Sequence, residues 1–217
     1  MWYNVAVFDM DGTILDTLED LKNSVNFALR GCGFPERTLD EIRTFVGNGI
    51  RLLVERAVPE GTSPEKTDEC FAAFKAHYAA HSLDVTKPYD GVAELIKELR
   101  SRGVKTAVVS NKIDSAVQEL CRTFFDGLFD ASVGEREGVA RKPAPDSVFT
   151  ALKEMNVTAE NAVYIGDSEV DVATARNSGL PCIAVLWGFR SKELLEKLTP
   201  EYIVEKPEQI LGIIEGE

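Results

Sequence analysis

Asp9-Met10-Asp11-Gly12-Thr13 follows the short apolar run Val5-Ala6-Val7-Phe8. The length and β-branching of that run favour a buried strand, so two carboxylates two residues apart converge where the chain leaves it. Gly12 permits a positive φ and a close backbone approach to a ligand. Asp-Gly between apolar runs is also a hairpin signal, but the Thr17-to-Leu29 segment that follows has a helical period, not an alternating one. Three further polar groups stand in comparable places. Ser110-Asn111 directly follows Thr106-Ala107-Val108-Val109, where a plain polar turn is the alternative. Lys142 precedes Pro143 in Arg141-Lys142-Pro143-Ala144-Pro145, and a solvated lysine held extended by its proline is the alternative there. Gly166-Asp167-Ser168-Glu169-Val170-Asp171 follows Ala162-Val163-Tyr164-Ile165 and reads equally as a helix N-cap with an acidic first turn.

Taken together, the four make a stronger case. Each sits where a strand of a parallel sheet, or its following loop, opens onto one edge. The set holds three or four carboxylates, a hydroxyl, an amide and a lysine. Carboxylates crowded into one cleft repel each other unless they hold a cation. Hard oxygen ligands with few histidines select Mg²⁺. Lys142 and the backbone N–H groups near Asp11–Thr13 would complete a site for a dianion bridging to that metal. A small phosphorylated metabolite, which needs only two or three local donors, is compatible with such a site.

The elements that must position these groups are legible around them. Ile183-Ala184-Val185-Leu186 is a fourth apolar run and Tyr202-Ile203-Val204 a weaker fifth. Between the runs lie amphipathic helices. Val92, Leu95, Ile96 and Leu99 repeat with helical spacing up to Gly103, and Val117, Leu120, Cys121 and Phe124 do so after Asp114, an expected N-cap. Phe149, Leu152 and Met155 mark another helix, and Glu169 to Ser178 a further one closed by Gly179-Leu180-Pro181. Strands alternating with helices predict an α/β fold, a doubly wound, Rossmann-like parallel sheet covered on both faces. Ligands in such sheets gather beyond the carboxyl ends of the strands.

One stretch breaks the alternation. Leu18, Leu21, Val25 and Leu29 form a first helical stripe, and Thr38-Leu39-Asp40-Glu41 is a capping box opening a second helix. Ile50, Leu53, Val54 and Ala57 form a third after Gly47-Asn48-Gly49, and Ser63-Pro64-Glu65 starts a fourth that carries Phe71, Phe74 and Tyr78. The expected organisation is a core of residues 1–15 and 87–217 interrupted by an inserted helical subdomain, residues 16–86. Within the insert, Gly47, Asn48 and Arg51 are candidates for substrate recognition. A backbone break there exposes donors, and a helix beginning at it aims its positive end outward. Arg51 could grip a substrate carboxylate in bidentate fashion or form a surface ion pair. His77 and His81, at i and i+4, have the spacing of a zinc pair but no third ligand nearby. They read as a solvated face.

Composition narrows the function classes. The 217 residues carry 24 Lys and Arg against 36 Asp and Glu, a formal charge of −12. So acidic a chain argues against nucleic acid as a partner, because a phosphate backbone demands a basic stripe. The longest apolar stretch, Cys182 to Phe189, is far short of the roughly 20 residues needed to span a bilayer, so no membrane partner is expected. No Lys or Arg precedes Lys22, which leaves no basic region of a secretory signal. Cys32, Cys70, Cys121 and Cys182 are scattered and read as small hydrophobes in a reducing compartment. The expected location is cytoplasmic, and the expected assembly a monomer or weak homodimer.

At the four motifs the sequence resembles the haloacid dehalogenase superfamily, over essentially the whole chain. Phe8 to Leu21 and Phe45-Val46-Gly47-Asn48-Gly49 are most similar to its phosphoglycolate phosphatases, and the helical insert to its α-helical cap. The resemblance implies a Mg²⁺-dependent phosphatase acting on a small phosphate monoester. Asp9 would be the nucleophile that becomes an aspartyl-phosphate, and Asp11 the general acid and base. Mg²⁺ would sit on the Asp9 carboxylate, the Asp11 carbonyl and Asp167, supported by Asp171. Ser110 and Lys142 would hold the transferring phosphoryl oxygens, with Gly12, Thr13 and Asn111 as further phosphate contacts. Haloacid dehalogenases lack the second Asp of the first motif, so Asp11 points to phosphoryl chemistry. The alternatives are a phosphosugar mutase or pyrophosphatase on the same scaffold, or a non-enzymatic, receiver-like phospho-acceptor module. Receiver modules lack a large insert after the first strand.

Overall fold

In a computed structural model describing residues 2–216, the apolar runs become neighbouring strands of one parallel sheet. In chain order the elements are β1 (Val5–Phe8), β2 (Leu15–Asp16), α1 (Leu18–Gly31), α2 (Leu39–Phe45), α3 (Ile50–Ala57), α4 (Pro64–His81) and β3 (Lys87–Pro88). There follow α5 (Val92–Ser101), β4 (Lys105–Ile113), α6 (Asp114–Phe125), β5 (Ala131–Glu135), α7 (Asp146–Glu154), β6 (Ala162–Gly166) and α8 (Glu169–Ser178). The chain closes with β7 (Cys182–Val185), α9 (Lys192–Lys197), β8 (Tyr202–Val204) and α10 (Glu208–Glu215). The six-stranded sheet has the order β5-β4-β1-β6-β7-β8. The chain thus starts in the middle, builds outward through β4 and β5, and returns to build β6, β7 and β8 on the other side of β1. Such a reversal leaves a crevice at the carboxyl ends of the central strands.

Alternation along the strands explains why both faces need cover. Ala6 and Phe8 pack on one face with Leu95, Ile96 and Leu99 of α5, Val117 and Leu120 of α6, and Ile210 and Ile214 of α10. Val5 and Val7 pack on the other with Val148 and Leu152 of α7 and Val172 and Ala175 of α8. This is the doubly wound α/β architecture the pattern predicts.

Several local expectations need correction. β5 was not foreseen: Ala131-Ser132-Val133-Gly134-Glu135 has too little apolar content to announce a strand, yet it pairs with β4. Strand β4 extends to Ile113, so Ser110 and Asn111 lie within it, not after it, in a stretch where the pairing with β5 shifts register. Asp114 is the first residue of α6, not its N-cap. Its carboxylate instead accepts hydrogen bonds from the Gly134 N–H (2.8 Å) and the Arg136 Nε–H (2.7 Å), fastening β5. Phe149 is exposed, because the buried face of α7 is formed by Val148, Ala151 and Leu152.

Residues 16–87 form a second compact unit and residues 1–15 with 88–217 the first. Where the chain passes between them, β2 and β3 pair as a two-stranded ribbon. The helical unit is built around Ile42, Leu53, Phe74 and Leu29, all essentially inaccessible. Thr38 and Glu41 make the reciprocal capping box at the start of α2, and Ser63 caps α4 with Pro64 at its first position. A feature not visible in the sequence closes the unit. Asp20, buried on α1, accepts hydrogen bonds from the Val85 N–H (3.1 Å), the Thr86 N–H (2.9 Å) and the Thr86 hydroxyl (2.8 Å). Asp20→Ala strands these donors, and a loss of roughly 2–4 kcal/mol is expected from buried hydrogen bonds to a charged group. Thermal melting followed by circular dichroism should show it. An unchanged melting curve would mean that water replaces the carboxylate without cost.

Candidate active site

The register of the central strands decides which residues meet. Phe8 of β1 lies opposite Val108 of β4 on one side and Ile165 of β6 on the other. One residue further on, Asp9 leaves the sheet between Val109–Ser110 and Gly166–Asp167, its N–H still bonded to the Ile165 carbonyl (2.9 Å). Three motifs far apart in sequence are thereby brought to one sheet edge. Lys142 joins them from the segment before α7: its Nζ donates to Asp9 Oδ1 (2.6 Å), to Asp171 Oδ1 (2.9 Å) and to the Tyr164 hydroxyl (3.1 Å). Its side chain is only 3% exposed, so these contacts replace water for the ammonium.

Asp9, Asp167 and Asp171 present carboxylate oxygens within 4.8 Å of one another. Burial above all, and then the charge of Asp171, push Asp9 well above the usual carboxylate range against the pull of Lys142. Burial and Asp171 likewise lift Asp167 to about 7. Burial works against the Lys142 charge, yet Asp171 and Asp9 hold its ammonium above the ordinary lysine range. Burial would also raise Asp171, but Lys142, Ser168 and Tyr164 outweigh it and keep that carboxylate low. With all three ionised, the carboxylates would outnumber the Lys142 ammonium by two. A divalent cation on oxygen ligands fits this donor set. Asp171 serves differently from Asp9 and Asp167: Oδ1 accepts from Lys142 and Tyr164, while Oδ2 accepts from the Ser168 hydroxyl (2.6 Å) and the N–H groups of Ser168 and Asp167. With both oxygens so engaged, it orients the cluster from behind.

Other predicted residues also stand in supporting places. The Gly12 N–H donates to the Leu15 carbonyl (2.9 Å) and the Thr13 N–H to the Met10 carbonyl (3.3 Å), so the turn consumes donors expected to face a phosphate. The Thr13 hydroxyl donates to Asp167 Oδ1 (3.1 Å). Asn111 grips the backbone of Lys142, accepting its N–H (2.8 Å) and donating to its carbonyl (3.1 Å). The Ser110 hydroxyl accepts the Lys112 N–H at 3.1 Å. In the helical unit, Gly49 (φ 85°) caps α3 and Gly47 also has a positive φ, with Asn48 between them. Arg51 takes the second of its two expected roles, paired with Glu55 (2.6 Å) and with Asp68. His77 and His81 stack on each other, and His77 on Phe27.

Six contributors carry little or no signal in the sequence. Lys112, with its side chain 4% exposed, lies 3.0 Å from Asp11. Tyr164 read only as a core residue of an apolar run. The loop after β7 supplies the Phe189 N–H to Asp167 Oδ2 (2.7 Å) and the Trp187 indole N–H to the Thr13 carbonyl (3.0 Å). At Gly188 a Cβ would fall 2.3 Å from the Asp167 Cβ and 2.4 Å from the Gly12 carbonyl oxygen, so a bare backbone is required there. Arg190 then closes that edge with a two-pronged bond to Glu169 (2.6 and 3.0 Å). Only the glycine in Leu186-Trp187-Gly188-Phe189 carried a sequence signal, and it is a weak one.

Comparison with known proteins agrees with this architecture. A sequence profile of the haloacid dehalogenase-like hydrolases matches residues 6–185, and the chain belongs to that family. A phosphoglycolate phosphatase of Aquifex aeolicus is 27% identical over 213 residues, spanning 98% of this chain and 97% of its own. A provisionally assigned pyrophosphatase of Caldanaerobacter subterraneus is 31% identical over 218 residues, covering 100% of this chain and 96% of its own. The crystal structure of a provisionally assigned phosphoglycolate phosphatase from Lactobacillus delbrueckii subsp. bulgaricus superimposes with a TM-score of 0.95 at 40% identity, over 100% of both chains. Within its family the chain is thus an enzyme resembling the phosphoglycolate phosphatases. No helix among the described residues is long and apolar enough to cross a membrane.

Proposed function

We propose that this enzyme hydrolyses a small phosphate monoester, phosphoglycolate foremost, through an aspartyl-phosphate on Asp9. The observation that carries the reading is the Asp9 carboxylate at the sheet edge, bound by Lys142 and grouped with Asp167. A carboxylate oxygen of Asp9 attacks phosphorus, and the bond to the ester oxygen breaks. Asp11 gives its proton to the departing alkoxide. Asp11 then takes a proton from water, whose oxygen attacks the phosphorus of the acyl phosphate, releasing phosphate and restoring the Asp9 carboxylate. Lys142 and the Ser110 hydroxyl are proposed to steady the equatorial oxygens, where charge spreads as the phosphoryl group transfers. Mg²⁺ would be held by Asp9, Asp167 and the Asp11 carbonyl, where it supplies neutralisation of the carboxylates and of the incoming dianion.

Pyrophosphate is the second reading, and the Caldanaerobacter relative supports it. Both readings are tested by phosphate release from a panel holding phosphoglycolate, sugar phosphates, pyrophosphate and p-nitrophenyl phosphate. The expected result is a kcat/KM for phosphoglycolate at least about tenfold above that for the others, equivalent to roughly 1.4 kcal/mol of transition-state binding. A preference for pyrophosphate would reverse the two readings. Phosphoryl exchange between sugar positions without release of phosphate would make the enzyme a mutase.

A further inference from the structure

Lys112 is a lysine where a strand should bury an apolar residue. It lies on β4 two positions beyond Ser110, and its side chain is 4% exposed. A buried ammonium is retained only where a partner compensates its lost hydration. Its Nζ stands 3.0 Å from Asp11 Oδ1, and its N–H donates to the Ser110 hydroxyl. The pairing of β4 with β5 shifts register between Val109 and Ile113, the kind of irregularity that re-aims side chains beside active sites. Lys142, the other buried lysine of this edge, serves Asp9 and Asp171. The two reacting carboxylates of the first motif therefore each have a lysine of their own.

We infer that Lys112 is a positioning residue for Asp11, fixing its carboxylate where the ester oxygen departs. The inference rests on Asp11 being the general acid and base, as proposed above. With Oδ1 accepting from the ammonium, Oδ2 is the oxygen that carries the proton outward and later receives one from water. Lys112 takes no part in the proton transfers of this scheme. Its contribution is orientation, and a proton donor displaced by about 1 Å from its acceptor can lose on the order of a hundredfold in rate.

The leaving group separates this role from a merely structural one. An alkoxide needs a proton from Asp11 as it departs, whereas nitrophenolate needs little help. In the full-length enzyme with Mg²⁺, Lys112→Met, Lys112→Arg and Asp11→Asn are compared on two readouts. One is steady-state turnover of phosphoglycolate, or of whichever alkyl monoester in the panel reacts fastest. The other is the single-turnover release of nitrophenol from p-nitrophenyl phosphate. Lys112→Met is expected to lower kcat on the alkyl ester by about a hundredfold with KM within about threefold, and to leave the nitrophenol phase within about threefold. Lys112→Arg should recover most of the lost kcat. Equal loss on both readouts, or a raised KM with kcat unchanged, would overturn the inference. If Asp11→Asn shows the split and Lys112→Met does not, Lys112 alone is misassigned. If Asp11→Asn shows no split either, the acid–base reading of Asp11 fails and this inference with it. Should Lys112→Met lose its folded circular dichroism spectrum, Lys112→Gln carries the same comparison with the same split expected.

Discussion

Asp9→Asn is expected to lower turnover of every phosphate monoester by about a thousandfold or more, with the melting temperature essentially unchanged. The amide has the shape of the carboxylate and can still accept the Lys142 bond, so packing at the end of β1 is kept. It has no anionic oxygen to attack phosphorus. Burial and Asp171 already disfavour a negative charge at Asp9 against the pull of Lys142, so a neutral side chain there relieves that repulsion. Phosphate release and thermal melting measured on one preparation decide the matter. Residual activity above about a thousandth of the wild-type rate would move the nucleophile elsewhere.

Removal of divalent metal is expected to have the second-largest effect. Asp9, Asp167 and Asp171 share a buried space in which Lys142 is paired with two of them, and a phosphate ester brings two more negative charges. Exhaustive chelation should therefore abolish activity, and added Mg²⁺ should restore it. Binding also has a readout independent of turnover. Mg²⁺ at about a hundred times its dissociation constant should stabilise the fold by roughly 2.7 kcal/mol, visible as a rise in melting temperature. Asp167→Asn should shrink that rise, because the amide keeps a carbonyl oxygen but loses the charge. Full activity after chelation, or no thermal shift with Mg²⁺, would remove the metal from the mechanism.

The parts legible in the sequence share one physical cause. Central strands of a parallel sheet are buried on both faces, so β1, β6 and β7 stand out as unbroken apolar runs, and polar residues at their carboxyl ends are conspicuous against them. That is why Asp9 and Asp167 are legible at one edge, whereas Ser110 reads as following β4 although it lies within that strand. Edge strand β5 has a weaker signal because Ser132, Gly134 and Glu135 dilute it. Lys112 was hidden for another reason: a lysine in a strand reads as solvated unless its buried partner is known, and Asp11 is about a hundred residues away in the chain. Asn111 and Thr13 show the same limit. Their residue types suit phosphate binding, but long-range contacts commit them to Lys142 and Asp167. The Phe189 N–H leaves no side-chain pattern at all.

The paired ribbon of β2 and β3 has a consequence for how such a chain can change. Neighbouring strands lie about 5 Å apart, so the outgoing and returning segments of the helical unit are nearly joined before the unit begins. To the sheet, residues 16–87 amount to a short loop, whatever their number or form. A change in the length of that segment is therefore expected to leave the strand order and the spacing of Asp9, Lys142 and Asp167 as they are, which the sheet pairing sets. In covalent terms the segment hangs from the sheet by two closely spaced ends, so its length places little tension on the strands that carry Asp9 and Asp167.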